Sequence, residues 1–295
     1  MAKFFSTQWH TIESSVQDMA ELEARLKDIE EIAQSMPLQS RNSNRGNSEQ
    51  YSRQSFIDAV VISHEFTDHC NKHTLLELNP DTPIFATKLA FDLIRSWEYF
   101  NQVQETPTFS AENSDWRNTS LPPLPRWLGI SRVVTVSDAL YYHSAILLTF
   151  DLDSKIIDVP SEEFRPAEGV IYSPHGIQAQ GLSHLSCAFP SVKTLALLHG
   201  LHDIKISLKQ LNLGAHNGLK AQKICKAKYW VSTHDEVKKE AGLITAFLHR
   251  KALTLQEALN EEMRAKGKVA DESELVQMRE VTFADLASGE SLLLA

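Results

Sequence analysis

At 295 residues with a formal net charge of −9, the chain is long enough for one large domain or two small ones, and it has no excess of positive charge to offer a nucleic acid. Hydrophobic residues make up 42% and charged residues 23%, the balance of a soluble globular protein, and no apolar run is long enough to span a bilayer. Three cysteines (Cys70, Cys187 and Cys225) are too few for a disulfide framework, and the opening MAKFFSTQWH lacks the apolar core of a secretion signal, so a reducing, cytoplasmic compartment is expected.

Residues 14–35 place Val16, Met19, Leu22, Leu26, Ile29 and Ile32 at spacings of three and four, which predicts an amphipathic helix ended by Pro37. The stretch 39–55, QSRNSNRGNSEQYSRQS, holds too little apolar surface to offset the cost of ordering it and reads as a disordered linker. The expected organisation is therefore an N-terminal helical segment (1–36), a polar linker (37–55) and one domain from residue 56 to 295 that ends in a helical extension.

The next stretch, 57–78, dominates the sequence. Ala59, Val60, Val61 and Ile62 form a short apolar strand, and His64, Glu65, Asp68 and His69 follow within a few residues. A short amphipathic helix with Leu75, Leu76 and Leu78 closes it. A strand that delivers two imidazoles and a carboxylate into a loop before a helix suits a metal site, although a polar surface turn has the same composition.

Alternation continues from there. Residues 83–87 (PIFAT) read as a strand, and 88–100 as a helix with Leu89, Leu93, Ile94 and Trp97 on one side. Residues 106–129, with Pro122, Pro123 and Pro125, read as loop. Strands are expected at 130–136, 140–150, 169–173, 194–198 and 229–232, and helices at 217–227, 238–253 and 254–266. The last is marked by a capping box of Thr254 and Glu257 and a stop at Gly267, and a final edge strand is expected from Val281.

Four of these strands end on histidine: Ile62 before His64, Tyr172 before His175, Leu198 before His199 and Val231 before His234. In layered α/β proteins, strand ends on one edge face a common crevice, where sites form. His199, His202 and His216 are candidates either for orienting ligands or for ordinary surface roles. His10, His73, His184 and His249 read as structural, and Cys70 as a small buried residue.

His64-Glu65-Phe66-Thr67-Asp68-His69 resembles the HxHxDH signature of the metallo-β-lactamase superfamily. The later segments GVIYSPHG and LKAQKICKAKYWVSTH resemble the layout of its lactonase and ribonuclease Z branch, over roughly residues 56–240. The resemblance implies a four-layer αββα sandwich. Its first sheet is expected to be incomplete, because a helix and a polar linker stand where the family has its first strands, as in an N-terminally truncated member. It also implies roles. His64 would bind a first metal, with His143 as the third histidine of that site. Asp68 and His69 would bind a second, with Asp68 orienting the attacking water and His234 completing the set. His175 stands where the family has a bridging aspartate.

Phe66 replaces the second histidine of the signature, and a phenyl ring cannot bind zinc. His175 binds one metal well but bridges two poorly. The expectation is one zinc ion held by Asp68, His69 and His234, with His175 or water as the fourth ligand. His64 and His143 then serve as hydrogen-bonding or acid–base groups. Two readings stand side by side: a metal-dependent hydrolase of an ester, lactone or phosphoester, and a non-catalytic member of the same fold that binds a ligand or partner. Nucleic acid and membrane are not expected partners, a small-molecule substrate is, and oligomeric state is open.

Overall fold

In order, the chain forms β1 (Thr7–His10), α1 (Met19–Ser35), β2 (Val60–Ile62), α2 (Lys72–Leu75), β3 (Ile84–Ala86), α3 (Lys88–Arg95), β4 (Val103–Glu105) and β5 (Thr108–Phe109). It continues with β6 (Leu128–Val134), β7 (Ser144–Phe150), β8 (Ala167–Ser173), β9 (Val192–His199), β10 (Asp203–Ile206) and β11 (Lys209–Asn212). The last elements are α4 (Ala215–Cys225), β12 (Tyr229–Val231), β13 (Lys238–Ala241), β14 (Leu248–Lys251), α5 (Leu255–Ala265) and β15 (Thr282–Ala284). This is a computed structural model, and it describes residues 7–35, 55–135, 141–151, 166–243, 245–265 and 281–294. The expected linker, apart from Ser55, and the expected helix stop at Gly267 lie outside the described residues. The described chain divides into two units, Ser14–Glu105 and Met1–Glu13 with Thr106–Ala295.

The 14–105 unit has three parallel strands in the order β2-β3-β4, with Val60 opposite Ile84 and Ile84 opposite Val103. Its core joins Ile62, Cys70, Leu75, Leu78, Ile84, Ala86, Ala90 and Ile94. Helix α1 starts at Met19 rather than residue 14, because Asp18 caps it: its Oδ1 accepts the Glu21 N–H at 2.8 Å. Helix α3 stops at Arg95 and buries Ala90 and Ile94, while Leu89 and Leu93 face solvent, so the face expected from the sequence is corrected by a rotation of roughly one residue.

The other unit is built on a seven-stranded mixed sheet in the order β15-β12-β9-β8-β7-β6-β5. Strands β8, β9, β12 and β15 are mutually parallel neighbours, β6 to β8 are antiparallel, and β5 runs parallel to β6. One core packs Phe109, Trp116, Val133, Leu147, Ile171, Ile177, Leu182 and Leu197. A second gathers Leu201, Ala215, Leu219, Trp230, Leu253 and Ala258 around α4 and α5. The expected edge strand after Val281 is present as β15, parallel to β12. The protein is thus a mixed α/β chain with a large multi-stranded sheet and helices.

Two expectations are corrected here. Residues 238–253 are not a helix but β13, a short 3-10 turn and β14. Both strands alternate half-buried and exposed residues with period two, and Gly242 between them sits at φ 117, outside helical space. Pairing with β1 and β10 overrides their helical propensity. The 106–129 loop also carries β5 and a 3-10 turn at Trp116–Thr119, started by Asp115, whose carboxylate accepts the Arg117 N–H. Strands β10 and β11 and the 3-10 segment Ala179–Cys187 had no counterpart among the expected elements.

The capping box opening α5 is formed as expected. Thr254 N–H donates to Glu257 Oε2 at 2.8 Å, and Glu257 N–H donates to Thr254 Oγ1 at 3.2 Å. Thr254→Ala should therefore cost about 1 kcal/mol, read as a lower urea midpoint, whereas the exposed Gln256→Ala should leave the midpoint unchanged.

Candidate metal centre

In the 14–105 unit the HEFTDHC turn is a short irregular loop between β2 and α2. The Phe66 carbonyl accepts two N–H groups, from His69 at 2.9 Å and Cys70 at 2.7 Å, which folds the chain back on itself. Asn71 then caps α2, accepting from the N–H groups of His73 at 2.9 Å and Thr74 at 3.3 Å. From the neighbouring strand end, Thr87 donates to the Ser63 carbonyl at 2.9 Å and fixes the exit of β2.

This turn brings His64, Asp68 and His69 together. The His64 and His69 rings lie 4.2 Å apart, and His69 Nε2 is 3.6 Å from Asp68 Oδ2. His64 is buried, with Nδ1 2.8 Å from Ser63 Oγ, and the Phe66 ring stands edge-on to it at 4.9 Å. The Asp68 side chain is 44% exposed, so its carboxylate meets solvent. Cys70 faces the core, and burial, helped by the charge of Glu65, pushes its thiol up to about 11. A thiol so held is a packing residue rather than a ligand. His73 stays on the exposed side of α2.

In the other unit the parallel register gathers the histidines at one sheet edge. Ser173 at the end of β8 pairs with His199 at the end of β9, and Val231 at the end of β12 pairs with Leu198. Strand β7 runs the opposite way, so its start at Ser144 reaches the same edge, where the Ser173 hydroxyl donates to the Ser144 carbonyl at 2.9 Å. His143, His175, His199 and His234 consequently lie at or just beyond that edge.

Their surroundings differ. The His175 and His234 rings are 5.0 Å apart at 60° and share one neighbour, the amide of Asn212. Tyr142 lies edge-on to both His143, at 5.0 Å, and His175, at 5.4 Å. His143 Nε2 is 2.9 Å from the Leu211 carbonyl. His199 is fully buried: Nδ1 donates to the Gly200 carbonyl at 2.7 Å, and Nε2 accepts from Asn217 at 3.1 Å. Burial holds its basicity below the usual histidine value, against the opposing pull of that carbonyl and of Asp235 and Asp203. His199 is thus a neutral brace. His216 pairs with Glu261 at 2.9 Å on the surface of α4.

His234 has φ 62, an uncommon backbone for a non-glycine residue. The next residue holds it there. The Asp235 carboxylate accepts from the N–H groups of Leu201 at 2.6 Å and His202 at 2.8 Å and from the Ser232 hydroxyl at 2.7 Å. Asp235, Asn212 and Tyr142 were missed by sequence reasoning; of the three only Asp235, in the run STHD beside an expected ligand, carried a readable sign.

Each unit thus presents imidazole nitrogens at strand ends, and one adds a carboxylate, a borderline N/O donor set that fits zinc or a similar divalent ion. A cavity of about 420 Å³ in the 14–105 unit lies elsewhere, between α1 and residues 55–57 and 77–82, and contains none of these groups.

No protein-family model matches the chain, and no curated protein matches it. Among solved structures it is similar to a possible metal-dependent hydrolase from Veillonella parvula, with TM-score 0.47 and 11% identity over 80% of this chain and 75% of that one. It is also similar to the isothiocyanate hydrolase from Delia radicum gut bacteria, with TM-score 0.47 and 12% identity over 80% and 76% of the two chains. A third is a metallo hydrolase from the hyperthermophilic archaeon Ignicoccus hospitalis, with TM-score 0.43 and 12% identity over 84% of each chain.

Proposed function

We propose that this protein is a metal-dependent hydrolase of a small-molecule ester, lactone or phosphoester. On this reading it is a divergent member of the metallo-β-lactamase-like αββα group, near the lactonase and ribonuclease Z branch, with one zinc ion. The observation that carries the reading is the turn after β2, where two imidazoles 4.2 Å apart and a half-exposed carboxylate share one short loop. Its support in the other unit is the close pair His175 and His234 at the ends of parallel strands.

The ligands proposed from the sequence resemblance are Asp68 and His69 in the 14–105 unit and His234 and His175 in the other. When bound, the ion would acidify a water and polarise the scissile carbonyl or phosphoryl oxygen. The chain's own residues do the rest. Asp68, open to solvent, accepts a hydrogen bond from the attacking water and fixes its direction. His64, whose Nδ1 is already engaged by Ser63, is set to move a proton at its other nitrogen. His143 is turned to a backbone carbonyl and acts as a hydrogen-bonding group beside Tyr142.

The test is metal content by mass spectrometry, on protein purified without chelator or histidine tag, followed by an ester, lactone and phosphodiester hydrolysis screen. One ion per chain with turnover is the expected result. A folded protein with no metal from supplemented medium would overturn the reading in favour of a non-catalytic binding protein, which Phe66, packed edge-on to His64 where a ligand would stand, already favours. Phe66→His would place a third imidazole on the same turn, and metal content should rise from one toward two ions per chain. An unchanged count would mean that this position belongs to no site. Among the described residues no helix is long and apolar enough to cross a membrane.

A further inference from the structure

The end of β11 touches three of the candidate histidines. The Leu211 carbonyl lies 2.9 Å from His143 Nε2, and the Leu213 N–H donates to the His175 carbonyl at 2.9 Å. Between them, the buried side chain of Asn212 lies with Oδ1 2.9 Å from His175 Nδ1 and Nδ2 3.5 Å from His234 Nδ1.

On these contacts, donor and acceptor chemistry assigns the ring protons. A carbonyl oxygen only accepts, so His143 carries its proton on Nε2 and His175 carries its proton on Nδ1. An amide NH2 only donates, so His234 offers it the Nδ1 lone pair and, when neutral, is protonated on Nε2. The two rings that share Asn212 are thereby held in opposite tautomers, His175 with its lone pair on Nε2 and His234 with its proton there.

We propose that Asn212 is a positioning residue that sets these two tautomers, and that it makes His175 the ready nitrogen donor of the pair and His234 the reluctant one. The second half rests on the metal reading above: a ring that must ligate through Nε2 has to surrender the proton that this amide keeps on it. Groups that hydrogen-bond the outer nitrogen of a ligating histidine commonly change metal affinity by about 10–100-fold. A carboxylate at this place would accept from both rings. Asn212→Asp, nearly the same in shape, should therefore move the His234 proton to Nδ1 and turn both Nε2 lone pairs outward. Asn212→Leu removes the control altogether.

The experiment labels the chain with 15N-histidine and reads protonated and lone-pair ring nitrogens through long-range 15N–1H couplings. It is run on metal-free protein well above the ordinary histidine value of about 6.5, and His175→Ala and His234→Ala supply the assignments. Expected are the Nδ1–H form for His175 and the Nε2–H form for His234 in the unaltered chain. In Asn212→Asp both should be Nδ1–H, and in Asn212→Leu both rings should show mixtures. Identical tautomers in the unaltered chain, or tautomers unmoved by Asn212→Leu, would overturn the proposal.

Zinc titration of the same three proteins should then rank Asn212→Asp tightest, by about 10-fold or more, and Asn212→Leu weakest, by about 10–100-fold. Equal affinities in all three would overturn the link between tautomer and ligation. Tautomers as stated in a chain that takes up no zinc in any of the three forms would support the role of Asn212 while removing the metal reading.

Discussion

Replacing Asp68 and His69 together by alanine should bring bound metal to background, a loss of more than about 100-fold in affinity. Even groups that only support a ligand cost about 10–100-fold when removed, and losing both the carboxylate and an imidazole of this turn removes two direct donors at once. The fold should survive. The turn is shaped by the Phe66 carbonyl and the Asn71 cap, and its core contact is Cys70. The control is His73→Ala, four residues along on the exposed side of α2, which should keep its metal. The measurement is metal per chain by mass spectrometry after desalting, beside a circular dichroism melt. Equal metal in the unaltered protein and both variants would remove the assignment.

Trp230→Ala should cost several times more stability than removal of the Thr254 cap. Trp230 is completely buried, Phe283 meets it edge-on at 5.7 Å, and its Nε1 donates to the His199 carbonyl at 2.9 Å. The opposing helix is shaped around it: a methyl group on Gly218 would come within 2.5 Å of Trp230 Cζ2. Truncating such a side chain costs about 3–5 kcal/mol, and the His199 carbonyl left without its donor pushes the loss to the upper end of that range. Trp230→Phe keeps most of the volume and should lose about half as much. Urea unfolding followed by circular dichroism, with the slope held, reads both. A shift below about 1 kcal/mol for the alanine variant would contradict the packing.

How far the sequence could be read depended on whether a feature has a period. Strands β8, β9 and β12 are largely apolar and each is followed or ended by a histidine within three residues, so both they and the edge they share were legible, as was the Thr254–Glu257 box. Strands β10, β11, β13 and β14 are four residues each, rich in lysine and other polar residues, and paired in small sheets, so neither apolar alternation nor turn residues gave them away. Residues 238–253 looked helical because Lys, Glu, Ala and Leu favour helices locally, while the partners that make them strands are distant in sequence. Of the candidate centre, the histidines and Asp68 were visible because imidazole and carboxylate announce their chemistry. Asn212 was not, since an amide becomes informative only once its two partners are known.

The pairing of β1 with β13 has a consequence for synthesis. Trp9 lies opposite Lys239, so this ribbon closes over a span of 230 residues. At about 5–20 residues per second, the first strand would wait roughly 10–50 s on the ribosome before its partner is made. In that interval the backbone groups of Thr7, Trp9 and Thr11 that β13 later pairs stand open, an edge on which an extended segment can add. Residues 14–105, made in the meantime with their own three-stranded sheet and core, contain among the described residues no strand that pairs with β1. This joint of the larger unit is thus expected to be a long-range one, with a closure cost that grows only slowly with the loop it must close.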